Sequence, residues 1–374
     1  MSSRSTRLQD HFADLTDPRR RKVVYPLINV VTIAICAVIA GADDFVSIAA
    51  WGREKRDWLA TILDLKSGIP SHDRFNAIFA ALNPGEFEKC LLNWITTLHE
   101  ITSGQVVAID GKTLRGSFDK ASGKSAIHMV SAWATANHIS LGQVLVDAKS
   151  NEITAIPKLL ELLEISGSIV TIDAIGCQTA IAAAIIAKKA DYVLAVKENQ
   201  PTLHAGIEAH FLDHLEDDFA RVKVSRHETF EHGHGRDEHR TYYVCDVPEN
   251  LPGGKRWKGL KRIGVAISDT VRGGKPTDDV RYYILSKKMS ARSFGAAVRG
   301  HWSIENRLHW QLDVTFGEDH CRTRKGVADA NFSILRRTAL SLLKNEKTAK
   351  VGMKNKRLTA AWSDSYLEKV LFGM

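Results

Sequence analysis

The spacing of apolar residues changes character twice along the chain. Up to about residue 95 it is helical, with apolar positions recurring every three or four residues in Phe45–Leu59 and again in Arg74–Leu82. The turn-prone Ser67-Gly68-Ile69-Pro70-Ser71 separates the two, Ser71 is placed to cap the second, and Asn83-Pro84-Gly85 ends it. Phe87–Ile101 reads as a further amphipathic helix, and Ser103-Gly104 as a boundary. Pro26–Ala42 is apolar almost throughout, follows the basic run at 19–22 and ends in Ala40-Gly41-Ala42, an order shared with secretion signals. However, Asp10, Asp14 and Asp17 precede it, and the basic run begins late. The stretch is also shorter than the about 20 residues a bilayer-spanning helix needs. A buried helix of an all-α N-terminal domain is expected, in a cytoplasmic protein with no membrane partner.

From Gln105 the period shortens. Gln105–Asp110 (QVVAID) is an apolar run closing on an acid, followed by Gly111. Ala126–Ala136 and Ser140–Ala148 alternate as strands do, with Asn137-His138 as their turn. A helix is expected from about Thr154, with Pro157 in its first turn. Ser168–Ala174 (SIVTIDA) is a buried strand with another acid near its end, Cys177–Ala190 a helix, and Tyr192–Val196 a strand. Strands alternating with helices predict an α/β sheet, here with an antiparallel meander in front.

Residues from about 200 to 288 break that rhythm. A charged helix (His204–Asp218) precedes strand-like pieces at Ala220–Arg226, Glu238–Cys245, Lys261–Ser268 and Val280–Ser286, with Gly and Pro pairs between them. This predicts a mostly β insertion. Helical character returns at Ala291 and is expected to continue to about Lys344. The resulting division is a helical unit over 1–103, an α/β unit over 104–345 and a tail over 346–374.

Charge changes the picture slightly. Lys and Arg number 51 against 43 for Asp and Glu, a net +8 that favours a polyanionic partner through counterion release. Cysteine changes it by exclusion. Cys36, Cys90, Cys177, Cys245 and Cys321 are scattered with no CxxC pair, which argues against a zinc site or disulfide framework and fits a reducing compartment.

The acids carry the candidate chemistry. Phosphoryl transfer on DNA can be run by two divalent ions about 3.5–4 Å apart, and hard cations take carboxylate oxygens from separate, rigid elements. Ligands of open α/β sheets gather at the C-terminal ends of strands. Asp110 and Asp173 sit in matching contexts, VAIDG and VTIDA, which suggests neighbouring strands; each acid could equally open a turn. The stretch Arg299–Asp313, RGHWSIENRLHWQLD, places His301, Glu305 and His309 at i, i+4 and i+8 on one helical face, with Trp302 and Asn306 on the next. Trp302 and Trp310 read first as core residues, whereas Glu305 among His, Asn and Arg suits a metal ligand with polar neighbours.

Four motifs now stand in order: VVAIDGKTLRGS, VTIDAIGCQ, DYVLAVKENQ and RGHWSIENRLHWQLDVTFGED. Together they resemble the insertion-sequence transposases of the H-repeat-associated (Rhs-linked) type, from about His11 to about Lys344. The resemblance implies an RNase H-like catalytic domain with a β-rich insertion, behind a transposase-associated helical domain. It also implies that Asp110, Asp173 and Glu305 form the DDE triad and hold two Mg²⁺ ions, for which Mn²⁺ can substitute. The wider superfamily has a Tyr-x2-Arg-x3-Glu-x6-Lys signature; here Val298, His301 and Leu312 stand where its Tyr, Arg and Lys would be. Glu318 and Asp319 are reserve candidates for the third acid.

The implied partner is double-stranded DNA, at transposon ends and target, bound by a homodimer. Candidate DNA contacts are Lys112 and Arg115 after the first acid, Lys197 after the Tyr192–Val196 strand, and Arg236 in the insertion. Arg299, His301, Trp302, Asn306 and Arg307 surround Glu305, and Arg322, Arg324 and Lys325 follow it. The run from Glu231 to Arg240 is rich in His but lacks the cysteines or second His cluster of a tetrahedral zinc set. The expected activity is metal-dependent cleavage followed by 3′-OH strand transfer. A nuclease of the same fold without strand transfer and a catalytically silent DNA-binding derivative are the alternatives.

Overall fold

The computed structural model describes residues 9–20, 23–98, 104–118, 125–146, 150–233 and 235–373. The end of the basic run (Arg21, Lys22), the boundary at Ser103, the expected limits at Ile101 and Ala148, and His234 lie outside them.

The apolar stretch that follows Pro26 becomes helix α1 (Leu27–Ile39), with every residue from Asn29 to Ile39 buried. A helix apolar all round belongs at the centre of a bundle, and this one is surrounded by protein. No described helix is long and apolar enough to cross a membrane. Around it lie α2 (Phe45–Glu54), α3 (Arg56–Leu59), α4 (His72–Ala81) and α5 (Pro84–Leu98). Ser71 caps α4 by accepting from the Arg74 N–H at 3.4 Å. The helix expected over Phe45–Leu59 is two pieces, broken at Lys55, whose ammonium pairs with Asp364 at 2.7 Å.

The nine described strands form one mixed sheet, β1 (Val106–Leu114), β2 (Ile127–Ala134), β3 (Ile139–Val146), β4 (Ile169–Ile172), β5 (Asp191–Val196), β6 (Val224–Gly233), β7 (Arg236–Asp246), β8 (Arg262–Arg272) and β9 (Lys275–Leu285). Their spatial order is β3-β2-β1-β4-β5-β9-β8-β7-β6. β1, β4 and β5 run parallel, and the other neighbours are antiparallel. The β-rich insertion is thus an extension of the sheet, joined through β9 to β5. Its hairpins are longer than the apolar pattern suggested, because their outer halves are charged and exposed and carry no apolar alternation, as in Lys275–Val280, which is exposed throughout.

Helix α6 (Glu152–Leu162) packs on β2 and β3, and α7 (Thr179–Ala187) leads to β5. Pro157 is inside α6, not in its first turn, since the helix starts two residues before Thr154. α8 (Pro201–Leu215) packs on β9. The long helix expected from Ala291 to Lys344 is interrupted. α9 (Ala291–Ile304) passes into a π-helical segment at Glu305–His309, then α10 (Trp310–Val314). Gly317, with φ of +58°, then turns the chain toward α11 (Ala328–Asn345). α11 is buried along nearly its whole length, packed against α1, α4, α5 and β3. Residues expected as an unplaced tail form α12 (Met353–Trp362) and α13 (Asp364–Phe372), both against α1 and α11.

Candidate active site

β1 is longer than the sequence implied. The VAIDG run does not end the strand at Asp110. β1 continues to Leu114, paired with β2 as far as Leu114↔Ile127, while its parallel partner β4 stops at Ile172. Ile109 pairs with Ile172, so Asp110 and Asp173 are the next residues on two adjacent strands. Such strands lie about 4.8 Å apart, which sets the two carboxylates side by side where the parallel pairing ends. Asp173 is steadied by the Gly176 N–H at 3.4 Å, and Asn199 braces the same loop by donating to the Ala174 carbonyl at 2.6 Å.

α9 crosses the face of β1 that carries Asp110 and brings Glu305 to the same place. Asp110, Asp173 and Glu305 line one cleft of about 290 Å³, together with Lys197, Arg281, His301 and Trp302. The π turn beginning at Glu305 lets the helix present two groups here: Glu305 to the cleft and His309, whose Nδ1 is 3.5 Å from Asp110 Oδ2. π segments inside α-helices are rare and recur at functional sites.

The electrostatics show crowded negative charge. Burial first, then the Asp173 charge, pushes Asp110 up to about 7, with Glu152 and Glu305 adding to it. Asp173 is raised by burial too, opposed in part by Lys197. His309 is pushed down to about 3 by burial, with Arg337 and Lys112 adding to it, and is therefore neutral near pH 7. His301, its Nδ1 3.2 Å from Thr171 Oγ1, is pushed down to about 4 by burial. Among the described residues no group of three or more His, Cys, Asp or Glu side chains is already arranged to hold a metal ion. The donor set is nonetheless hard oxygen, and its mutual repulsion is what a divalent cation would relieve, so the acids fit such an ion in chemistry.

The other candidates divide. Lys197 is exposed at the cleft, as the parallel β4–β5 pairing requires. Arg115 is exposed. Lys112 is not a free phosphate contact: it is buried, with its ammonium bound to Asp313 and, at 2.7 Å, to Glu318. That pairing also occupies Glu318, the reserve third acid, while Asp319 faces Arg115 at 3.9 Å. Arg299 is held by Glu231 at 2.9 Å, and Arg236 by Glu238 at 3.2 Å. Arg307 donates to His138 at 2.7 Å and Asn306 to the Trp302 carbonyl at 3.4 Å. Arg324 donates to the Gly116 carbonyl at 3.1 Å, while Arg322 and Lys325 are exposed.

The tryptophans overturn the expectation of a core role: Trp302 is 38% exposed and Trp310 52%. Arg281, which the sequence reading passed over, lies above the Trp302 ring at 4.6 Å from its centroid. Arg281, Trp302 and Glu305 also border a second groove of about 440 Å³ that runs onto the insertion past Arg236, Arg240 and Arg299. Glu152 and His128 were likewise missed; their signal was only a Glu opening a helix and a His in an alternating strand.

Two family profiles match the chain. One, described as DDE_Tnp_1-associated, covers residues 9–95, and the other, Transposase DDE domain, covers residues 101–342. A protein of Escherichia coli O157:H7 named "Putative transposase YncI" is 44% identical over 369 residues, 97% of this chain and 94% of that protein. "H repeat-associated putative transposase YhhI" of Escherichia coli K12 is 40% identical over 376 residues, 98% of each chain. "H repeat-associated putative transposase YbfD" of the same strain is 38% identical over 249 residues, 66% of this chain and 96% of that protein. With both halves matched in order and the first two of these relatives aligned over nearly the whole chain, the chain belongs to the DDE transposase family, in its H repeat-associated group.

Proposed function

We propose that this transposase cleaves DNA at transposon ends and joins the freed 3′-OH to target DNA, with Asp110, Asp173 and Glu305 as its catalytic carboxylates. The observation that carries the reading is the meeting of these three acids, from β1, the end of β4 and the π turn, in one cleft. The order β3-β2-β1-β4-β5, a meander followed by two parallel strands, is the arrangement expected of an RNase H-like core, with β6–β9 as the insertion.

Asp110, Asp173 and Glu305 would hold two magnesium ions, or manganese in their place. Bound there, divalent ions supply charge neutralisation at the attacking and leaving oxygens of the phosphodiester. The chain's own residues do the rest. Neutral His309 supports Asp110 without cancelling its charge. Lys197 and Arg281 are the cations of the cleft lining that a phosphate there would meet. The exposed Trp302 face, backed by Arg281, offers a base a stacking surface beside Glu305. A homodimer would bring two transposon ends together.

Asp110→Asn and Glu305→Gln are expected to reduce end cleavage below detection while double-stranded end fragments are still retained in a gel-shift assay. Wild-type cleavage by either variant would remove that residue from the triad. Labelled pre-cut ends incubated with plasmid separate strand transfer from simple nuclease action, and a catalytically silent derivative would give neither product.

A further inference from the structure

Glu152 is the first residue of α6, and its carboxylate lies against Gly111 of β1, the residue after Asp110. Its position is fixed by an absence. A Cβ built on Gly111 would fall 2.0 Å from Glu152 Oε1, so the glycine after Asp110 is what lets a carboxylate reach the strand there. β4 has ended at Ile172, one step earlier, which leaves that side of β1 without a parallel partner beyond Ile109. An acid on the α6 face can thus approach the site around the end of β4.

The carboxylate is also held. His128 Nε2 lies 2.7 Å from Glu152 Oε1, and His128 Nδ1 lies 2.8 Å from Thr113 Oγ1. A carboxylate only accepts, so Nε2 carries the proton and the Thr113 hydroxyl donates to Nδ1. Carboxylates that ligate metals are commonly oriented by hydrogen bonds of this kind.

We propose that Glu152 is a fourth carboxylate of this centre, an oxygen ligand for a divalent cation held jointly with Asp110 and Asp173, and that His128 and Thr113 fix its orientation. The inference rests on the reading of Asp110 and Asp173 as metal-holding acids. A Glu at the first position of a helix can also serve only the helix dipole, and the two roles separate in a binding measurement.

The test is Mn²⁺ titration of the full-length chain by isothermal calorimetry, without DNA. Glu152→Gln is expected to weaken Mn²⁺ binding about ten-fold or more, with Glu152→Asp recovering part of the loss. Gly111→Ala, whose methyl group would displace Glu152, should weaken binding in the same direction. Wild-type Mn²⁺ affinity in Glu152→Gln, with only a shifted melting temperature, overturns the proposal. If Asp110→Asn weakens binding and Glu152→Gln does not, only this inference fails. If neither does, or wild type takes up no Mn²⁺, the reading of the whole cleft fails with it.

Discussion

At the scale of single residues, the pair Lys112–Glu318 shows how charge is spent outside the proposed triad. Burial alone would raise Glu318, but Lys112, Arg337 and Arg336 overcome it and hold the carboxyl down at about 2. Ser333 donates to its other oxygen at 2.8 Å. Because the folded value lies below the ordinary 4.5, the stability it contributes is complete above about 4.5 and is lost as the pH falls toward 2. Glu318→Gln should therefore flatten the acid limb of a stability–pH curve between those values, measured by urea unfolding. Lys112→Met, which strands a buried carboxylate, should cost about 3 kcal/mol or more at pH 7. Sequence alone offered Lys112 to the DNA because it follows Asp110 by two residues. It does share a face of β1 with that acid, but α10 and the following turn close over it.

At the scale of elements, the segment after α9 decides the geometry of the cleft. An α-helical reading put His301, Glu305 and His309 in register, and the residues do lie on the side facing the sheet. The π turn was not legible, because one widened turn changes the apolar period too little to see in so short a stretch. Its effect is to keep Leu308 and Leu312 buried while Glu305 and His309 both address the acids. Deleting Asn306 should restore α-helical bonding with the downstream residues left in place, so that only the widened turn at Glu305 is lost. Loss of cleavage with unchanged helical circular dichroism is the expected result; full cleavage would show the turn to be dispensable. The exposure of Trp302 and Trp310 belongs to the same element: with Leu308 and Leu312 filling the buried stripe, the tryptophans are left on the outer side.

At the scale of the whole molecule, α11 ties the helical N-terminal residues to the sheet. Asn331, fully buried, donates to the carbonyls of Phe79 and Leu82 at 2.7 and 2.9 Å, which closes the C-terminal end of α4 from a position far along the chain. Gly326, at φ +54°, makes the approach possible, since a Cβ there would sit 2.3 Å from the Ala80 carbonyl oxygen. Asn331→Ala would leave two buried carbonyls without donors and should cost about 2–3 kcal/mol. Scanning calorimetry should show a lowered transition for the chain as one unit; a shift confined to a separate, smaller transition would mean that the helices unfold independently. The buried guanidinium of Arg357, bound to Val38 and Asp43 at 3.1 and 2.8 Å, extends the same tie to α12.

What the sequence determined by itself was local and periodic. The apolar spacing identified α1 as a buried helix, the strand–helix alternation through Val196, the capping role of Ser71 and the matched contexts of Asp110 and Asp173. These follow from short-range rules of burial and hydrogen bonding that act within a few residues. Tertiary structure decided what depends on partners distant in sequence. It ran β1 past Asp110 because β2 continues to pair with it, and merged the insertion into the sheet through β9. It turned Lys112 inward to Glu318 and set Glu152 against Gly111 of β1. None of these has a periodicity to read, since each is fixed by which surfaces remain to be covered once the local elements exist.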